Sequence, residues 1–403
     1  MARILCVWEL GSDLGHLSHL RLPIEMALQL GHEVFLAARQ LPRVKEVLGD
    51  MPITYLQAPF KQNPKAADQA AFPSYTHLMA RQCFEGVDEL EMYLRAWRAL
   101  FDLVRPDLVL YEHSPTALIA SRSSGFKKVL VGNGFAIPPV SGAKRNAGEP
   151  FAPFLTTPRT EEIRTALCAD DAVLLQVINL ALARLDVDGF ACVHDIYAQA
   201  DDQLLMTLPA LDHFGERPAQ RYLGIETPRA RAAPVWPTTG GLKVFGYLHA
   251  IASLEKLLQD LIAADVCALL YVRNLPPGLK VAYTRDNLHF IEHLVDLYLV
   301  AQQAAAVISH GNHNTAASFL RAGLPQLVIP LHQEHLFLGL RLSAQGCAVL
   351  AYQDQTGFAN EIQTLISDPQ LKQRAGLLGG QCQSLEALDA AGFIRKIFQG
   401  LLG

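Results

Sequence analysis

Short apolar runs, each followed by a glycine-containing or polar turn and then a helix-length segment, recur along this chain in two separate series. That alternation leaves few folds open. Arg3–Trp8 is a continuous apolar run, followed by Gly11 and Gly15 and then a helical stretch, Ser18–Leu30, that ends at Gly31. His32–Ala37 reads as the second strand, and Asp107–Tyr111 and Lys128–Gly132 as two more, separated by the helical pattern Pro115–Ser123. Strands that are apolar throughout are buried on both faces, as in parallel sheets covered by helices. The first series therefore predicts a doubly wound α/β sheet.

Periodicity then disappears between residues 207 and 241. Pro209, Pro218, Pro228, Pro234 and Pro237 are interspersed there with Arg217, Arg221, Arg229 and Arg231, and the stretch closes on Gly240-Gly241. Such composition marks an interdomain linker. The alternation restarts with Leu242–Leu248, the helix Ser253–Ala264, Val266–Val272, Ala305–Ser309, the helix Thr315–Ala322 and Gln326–Pro330. The expected organisation is a Rossmann-like domain over 1–215, a linker over 216–240 and a second Rossmann-like domain over 241–383.

The bulk properties bound the function. Half the 403 residues are hydrophobic and 18% are charged, which excludes a disordered chain. A net charge of −5 gives no electrostatic footprint for nucleic acid, so small-molecule partners are expected. The seven cysteines are scattered, odd in number and without CxxC spacing, as suits a reducing cytoplasm. The longest apolar run, Ala172–Ala183, is broken by Gln176 and Asn179 and reads as a buried helix rather than a membrane anchor. Peripheral contact with a membrane surface stays open.

The most informative motif is the loop His310-Gly311-Asn312-His313-Asn314-Thr315, which joins a buried strand to a helix. First-turn amides and the helix dipole make such a junction an anion site. Asn314 and Thr315 add side-chain donors, Gly311 permits close backbone approach, and His310 stands at the carboxyl end of its strand, where doubly wound sheets bind ligands. An ordinary N-capped helix would use the same residue types.

The stretch from Leu288 to Gly346 resembles the donor-binding region of GT-B glycosyltransferases that use nucleotide sugars, in particular the antibiotic and natural-product group and the UDP-glycosyltransferases. The likeness rests on His310-Gly-Asn-His-Asn314-Thr315, on Ala322-Gly-Leu-Pro325 and on Pro330-Leu-His-Gln-Glu334-His335. It extends faintly to Gly15-His16, Gly132-Asn-Gly-Phe-Ala-Ile-Pro-Pro139 and Tyr222-Leu-Gly224. The resemblance implies two Rossmann-like sheets facing across a cleft, with a C-terminal helix within 384–403, about Ser384–Leu402, returning to the first domain. It implies that His310, Gly311, Asn312, Asn314 and Thr315 surround the donor diphosphate, while Glu334 and His335 meet the sugar. The co-substrate would be a UDP- or dTDP-sugar, with no metal and no further cofactor. Three departures stand out. Ser318 occupies the position of the ribose-binding acid, His335 that of the usual Gln, and no aromatic platform is evident near Ile291–Val295.

Gly15-His16-Leu-Ser-His19 lies between the first strand and its helix and does not form a dinucleotide fingerprint. A helix N-terminus favours a neutral imidazole, which can accept the proton of an attacking hydroxyl. His16 can equally be a plain helix residue; the resemblance implies that it is the general base. Glu112 is the expected orienting acid, with Asp13 as competitor, and His19 is expected to face the acceptor or to be structural. The zinc-like pattern His289-Phe-Ile-Glu292-His293 reads as strand into loop, unable to bring both histidines onto one helical face. A metal-independent, inverting transfer is the reading that results. A sugar-nucleotide epimerase of the same architecture and a catalytically silent nucleotide-sugar binder are the alternatives.

Overall fold

Residues Ile4–Trp8 are fully buried, which places the strand Arg3–Trp8 (β1) inside a sheet covered on both faces. In the computed structural model, described here for residues 1–11, 14–62, 71–140, 148–217, 220–225, 232–239, 241–386 and 389–403, β1 is joined by Glu33–Ala38 (β2), Thr54–Gln57 (β3), Leu108–Glu112 (β4), Lys127–Gly132 (β5) and Asp202–Leu205 (β6). All six run parallel in the order β3-β2-β1-β4-β5-β6. The order reverses direction between β1 and β4, and the carboxyl ends of strands at such a switch point are where ligands bind.

The second series builds the same topology. Lys243–His249 (β7), Cys267–Arg273 (β8), Leu288–Ile291 (β9), Ala306–Ser309 (β10), Gln326–Val328 (β11) and Ala348–Leu350 (β12) are parallel in the order β12-β11-β10-β7-β8-β9. Its switch point lies between β7 and β10. The expected α/β architecture of two doubly wound parallel sheets is present.

The compact units are Met1–Met206 with Pro218–Leu223 and Asp389–Gly403, and Thr207–Arg217 with Gly224–Leu388. The segment Thr207–Arg217, expected in the first domain and its linker, therefore belongs with the second. Leu208 and Leu211 bury against Leu320, Leu338 and Leu342, and Gln345 Nε2 donates to the Ala210 carbonyl at 2.9 Å. Burial of each leucine side chain is worth roughly 1.5–3 kcal/mol, which outweighs the pull of chain proximity.

The expected terminal helix is two helices, Pro369–Glu386 and Ala390–Leu402. Asp389 starts the second by accepting the Gly392 N–H at 2.8 Å. Ile394 and Phe398 on that helix are buried in the first unit's core with Leu20 and Ile24, and Arg395 hydrogen-bonds Gln29 and Met26.

A buried helix was expected at Ala172–Ala183. Those residues form the end of a longer helix, Glu161–Ala183, started by Thr160, whose side chain accepts the Ile163 N–H. Only one face packs: Leu167, Leu174, Ile178, Ala181 and Leu182 are buried, while Val173 is 62% and Leu180 50% exposed. Its most apolar window has a mean hydropathy of 1.6 with 28% buried, so by length and composition alone it could cross a membrane. Among the described residues it is the one helix with that property.

Candidate active site

The helix after β1 begins at Leu14, four residues earlier than the pattern suggested, so His16 sits in its first turn. The parallel pairing of β1 with β4 puts the imidazole at the end of β4. There Glu112 is completely buried and both its oxygens meet His16 Nδ1, at 2.9 and 3.0 Å. A carboxylate only accepts, so Nδ1 carries the hydrogen and the basic lone pair of neutral His16 lies on Nε2. His19, one turn further on, shares the same carboxylate through its own Nδ1 at 3.1 Å. Burial pushes the Glu112 carboxyl upward, but the charge and hydrogen bond of His16, seconded by His19, prevail and hold it at about 2.

Two aromatic plates flank the His16 ring. Trp8 stacks on it at 5.7 Å between centroids and His113 at 5.6 Å. Glycine is required at two contacts around it. A Cβ on Gly11, whose φ is +83°, would lie 1.9 Å from His16 Nε2. One on Gly132, at φ +146°, would lie 2.9 Å from the Ala136 methyl and 3.4 Å from Glu112 Oε1. The expected His16–Glu112 pair is thus assembled, whereas the competing Asp13 lies outside the described residues.

Three features at this switch point escaped the sequence reading. Glu9, just beyond β1, is fully buried and accepts the Thr116 N–H at 2.9 Å. Burial pushes its carboxyl up to about 8 against the opposing Thr116 hydrogen bonds and Arg39 charge, so it is mostly protonated near neutrality. His113 is buried, and burial with the adjacent His16 pushes it down to about 3. Trp8 donates to the Leu10 carbonyl at 2.6 Å, which fixes the plate under His16. The signal available for His113 was its place directly after a strand-end acid; a buried Glu9 shows no sequence pattern.

In the second unit the helix after β10 spans His313–Arg321 with Asn312 as N-cap, two residues earlier than expected. Asn314 and Thr315 therefore lie in its first turn, where amides lack intrahelical acceptors. Gly311, at φ +87°, leaves no room for a side chain: a Cβ would approach the His335 carbonyl and Val328 Cγ1 at 3.0 Å. His313 reaches Thr207 Oγ1 with Nε2 at 2.7 Å and Asn314 Oδ1 with Nδ1 at 3.1 Å.

His310 corrects an expectation. Its Nδ1–H donates to the Ile329 carbonyl at 2.6 Å and its Nε2 accepts the His249 N–H at 2.7 Å, so neither ring nitrogen is left for a phosphate. The ring instead ties the ends of β7 and β11 together under the loop, and burial pushes it down to about 4, in keeping with a neutral ring. Ser318, where the resemblance would place a ribose-binding acid, donates to the Asn314 carbonyl at 2.7 Å. Glu334 is half-buried in the first turn of the helix Gln333–Ala344. His335 beside it is buried, held well below the usual imidazole range by that burial, and contacts Asn312 Nδ2 through Nε2 at 3.3 Å. His335 and the loop thus meet beyond the end of β10, and Glu334 precedes His335 on the same helix. Among the described residues no group of three or more His, Cys, Asp or Glu is arranged to hold a metal ion.

No protein-family model matches the chain. An 81-residue stretch is 36% identical to the O-mycaminosyltylonolide 6-deoxyallosyltransferase of Streptomyces fradiae, covering 19% of this chain and 19% of that protein. The match therefore spans about a fifth of the curated relative's length. Among solved structures, the calicheamicin glycosyltransferase CalG4 superposes with a TM-score of 0.70 at 15% identity, over 100% of this chain and 98% of that one. The glycosyltransferase VinC, solved in complex with dTDP, gives a TM-score of 0.65 at 16% identity over 98% and 99% of the two chains. Coverage at both ends of both chains leaves neither sheet unaccounted for, and this protein has the GT-B fold of those natural-product glycosyltransferases.

Proposed function

We propose that the protein is a glycosyltransferase that moves a sugar from a nucleoside diphosphate sugar, dTDP- or UDP-linked, to an acceptor hydroxyl with inversion and without a metal. The observation that carries this reading is the fully buried Glu112 gripping Nδ1 of His16 with both oxygens at a sheet switch point. That arrangement fixes the tautomer, leaves the lone pair on Nε2 and stabilises the imidazolium that forms when a proton is taken. The similarity to glycosyltransferases, one of them bound to dTDP, supplies the reaction class.

In this mechanism the acceptor oxygen attacks the anomeric carbon while its proton passes to His16 Nε2. The bond from that carbon to the diphosphate oxygen breaks on the opposite face, which inverts the centre. The departing diphosphate meets Gly311, Asn312, Asn314 and Thr315 and the amide end of the helix His313–Arg321, preorganised donors that substitute for a cation. His310 supports that loop through the main chain, and Glu334 and His335 face the sugar.

The test is release of nucleoside diphosphate with a panel of UDP-, dTDP- and GDP-sugars, preceded by thermal shift. A donor at a hundred times its Kd stabilises the protein by about 2.7 kcal/mol. His16→Ala is expected to retain the shift and lose roughly 10²–10⁴ in kcat, the usual worth of a positioned base. Shift without turnover in the wild-type protein with any acceptor would leave a silent binder instead.

A further inference from the structure

His113 is the imidazole that the mechanism above does not use, and its surroundings are unusual. It is 6% exposed, and neither ring nitrogen has a hydrogen-bond partner. Its backbone stands in the left-handed region at φ +42°, held there as its carbonyl accepts the Leu10 N–H at 3.0 Å. The ring lies at 28° to that of His16 with centroids 5.6 Å apart, and Phe135 and Tyr75 wall it at 5.7 and 6.4 Å. Each neighbouring imidazole is anchored, His16 and His19 on Glu112. A phenyl ring would fill the same aromatic niche without burying two unsatisfied nitrogens, which is a destabilising arrangement. Strain and unmet polar atoms that persist together beside a base point to a ligand that completes them.

We propose that His113 hydrogen-bonds a second oxygen of the acceptor, adjacent to the hydroxyl that His16 deprotonates. With the two rings 5.6 Å apart and 28° from parallel, a ligand held by both would present two neighbouring oxygens. The acceptor class is therefore a 1,2- or 1,3-dioxygenated compound: a diol, a catechol or a hydroxyl beside a carbonyl. The inference rests on His16 being the base of the proposed transferase.

Binding of 2,3-dihydroxynaphthalene and 2-naphthol, without donor, tests it by isothermal titration calorimetry. The wild-type protein is expected to favour the diol by about tenfold or more, the scale of one buried hydrogen bond. His113→Phe should bring that ratio near one, and His113→Asn, which hydrogen-bonds and tolerates positive φ, should restore part of it. The ligand-free Phe variant should melt at or above the wild-type temperature, because it loses two unsatisfied buried nitrogens. Absence of a diol preference, binding of neither naphthol, an unchanged ratio in the Phe variant, or a fall in its melting temperature of more than about 5 °C would each overturn the proposal. Diol preference lost with His113 but no transfer from any nucleotide sugar would overturn the transferase reading alone.

Discussion

Replacing Gly11 by alanine puts a methyl group where the His16 imidazole already lies. The added Cβ would stand 1.9 Å from Nε2, 2.6 Å from Cδ2 and 2.7 Å from Cε1. Carbon contacts settle at about 3.5–4.0 Å, so the ring must retreat by roughly 1.5 Å or more. Glu112 holds Nδ1 at 2.9 and 3.0 Å, and Trp8 and His113 stack against the ring. A retreat of that size disrupts the pairing of the ring with Glu112. A displacement of about 1 Å at a reacting group is worth roughly 10² in rate, so kcat/KM should fall by at least that factor. The φ of +83° adds left-handed strain of roughly 1–2 kcal/mol for a non-glycine residue, or about 2–8 °C in the melting temperature of a unit this size. Initial rates of nucleoside diphosphate release, with circular dichroism melts on the same samples, separate the two effects. A Gly11→Ala protein within threefold of wild-type activity would refute the placement of the base.

Five further outcomes follow from the structure. The Glu112 carboxyl lies near 2 in the folded protein against an ordinary 4.5, so it stabilises the fold above pH 4.5 and that contribution disappears as pH falls toward 2. Glu9 has the opposite sign: raised to about 8, it is more protonated folded than unfolded, and stability declines as pH rises from 4.5 to 8. Glu9→Gln should flatten that decline in melts recorded across pH 5–8; an unchanged slope would show that Glu9 ionises normally. His310→Ala should destabilise by about 2–5 kcal/mol in urea unfolding, because it empties a buried site and strands the His249 N–H and Ile329 carbonyl. Gly311→Ala, with its 3.0 Å contacts and positive φ, should cut the thermal shift produced by the best nucleotide sugar at least in half, while His16→Ala leaves it intact. Val173→Ser and Leu180→Ser should each change stability by less than about 0.5 kcal/mol, since both side chains are at least half exposed; a larger loss would mean that the helix Glu161–Ala183 is covered.

Much of this protein is legible without coordinates. Uninterrupted apolar strands such as Arg3–Trp8 and Ala306–Ser309 can only be buried on both faces, and helical segments between them dictate parallel crossovers, so two doubly wound sheets follow from periodicity alone. The strand–loop–helix at His310–Thr315 and the Gly15-His16 turn are visible for the same reason, since a local pattern places them at strand ends. Pairing across distance is different. Nothing near residue 16 says that its imidazole meets residue 112; the pairing of β1 with β4 across the switch point decides that. The role of His310 inverted because its two partners, the His249 N–H and the Ile329 carbonyl, come from neighbouring strand ends 61 and 19 residues away. Thr207–Arg217 changed units because Leu208 and Leu211 found a deeper apolar pocket than their sequence neighbours offered. The protonation of Glu9 and the unmet nitrogens of His113 depend on desolvation, which exists only once the chain has closed around them. Local pattern fixed the elements and the strand-end loops, whereas ionisation, hydrogen-bond pairing and steric exclusion at the site were settled by the fold, because each depends on atoms far apart in the chain.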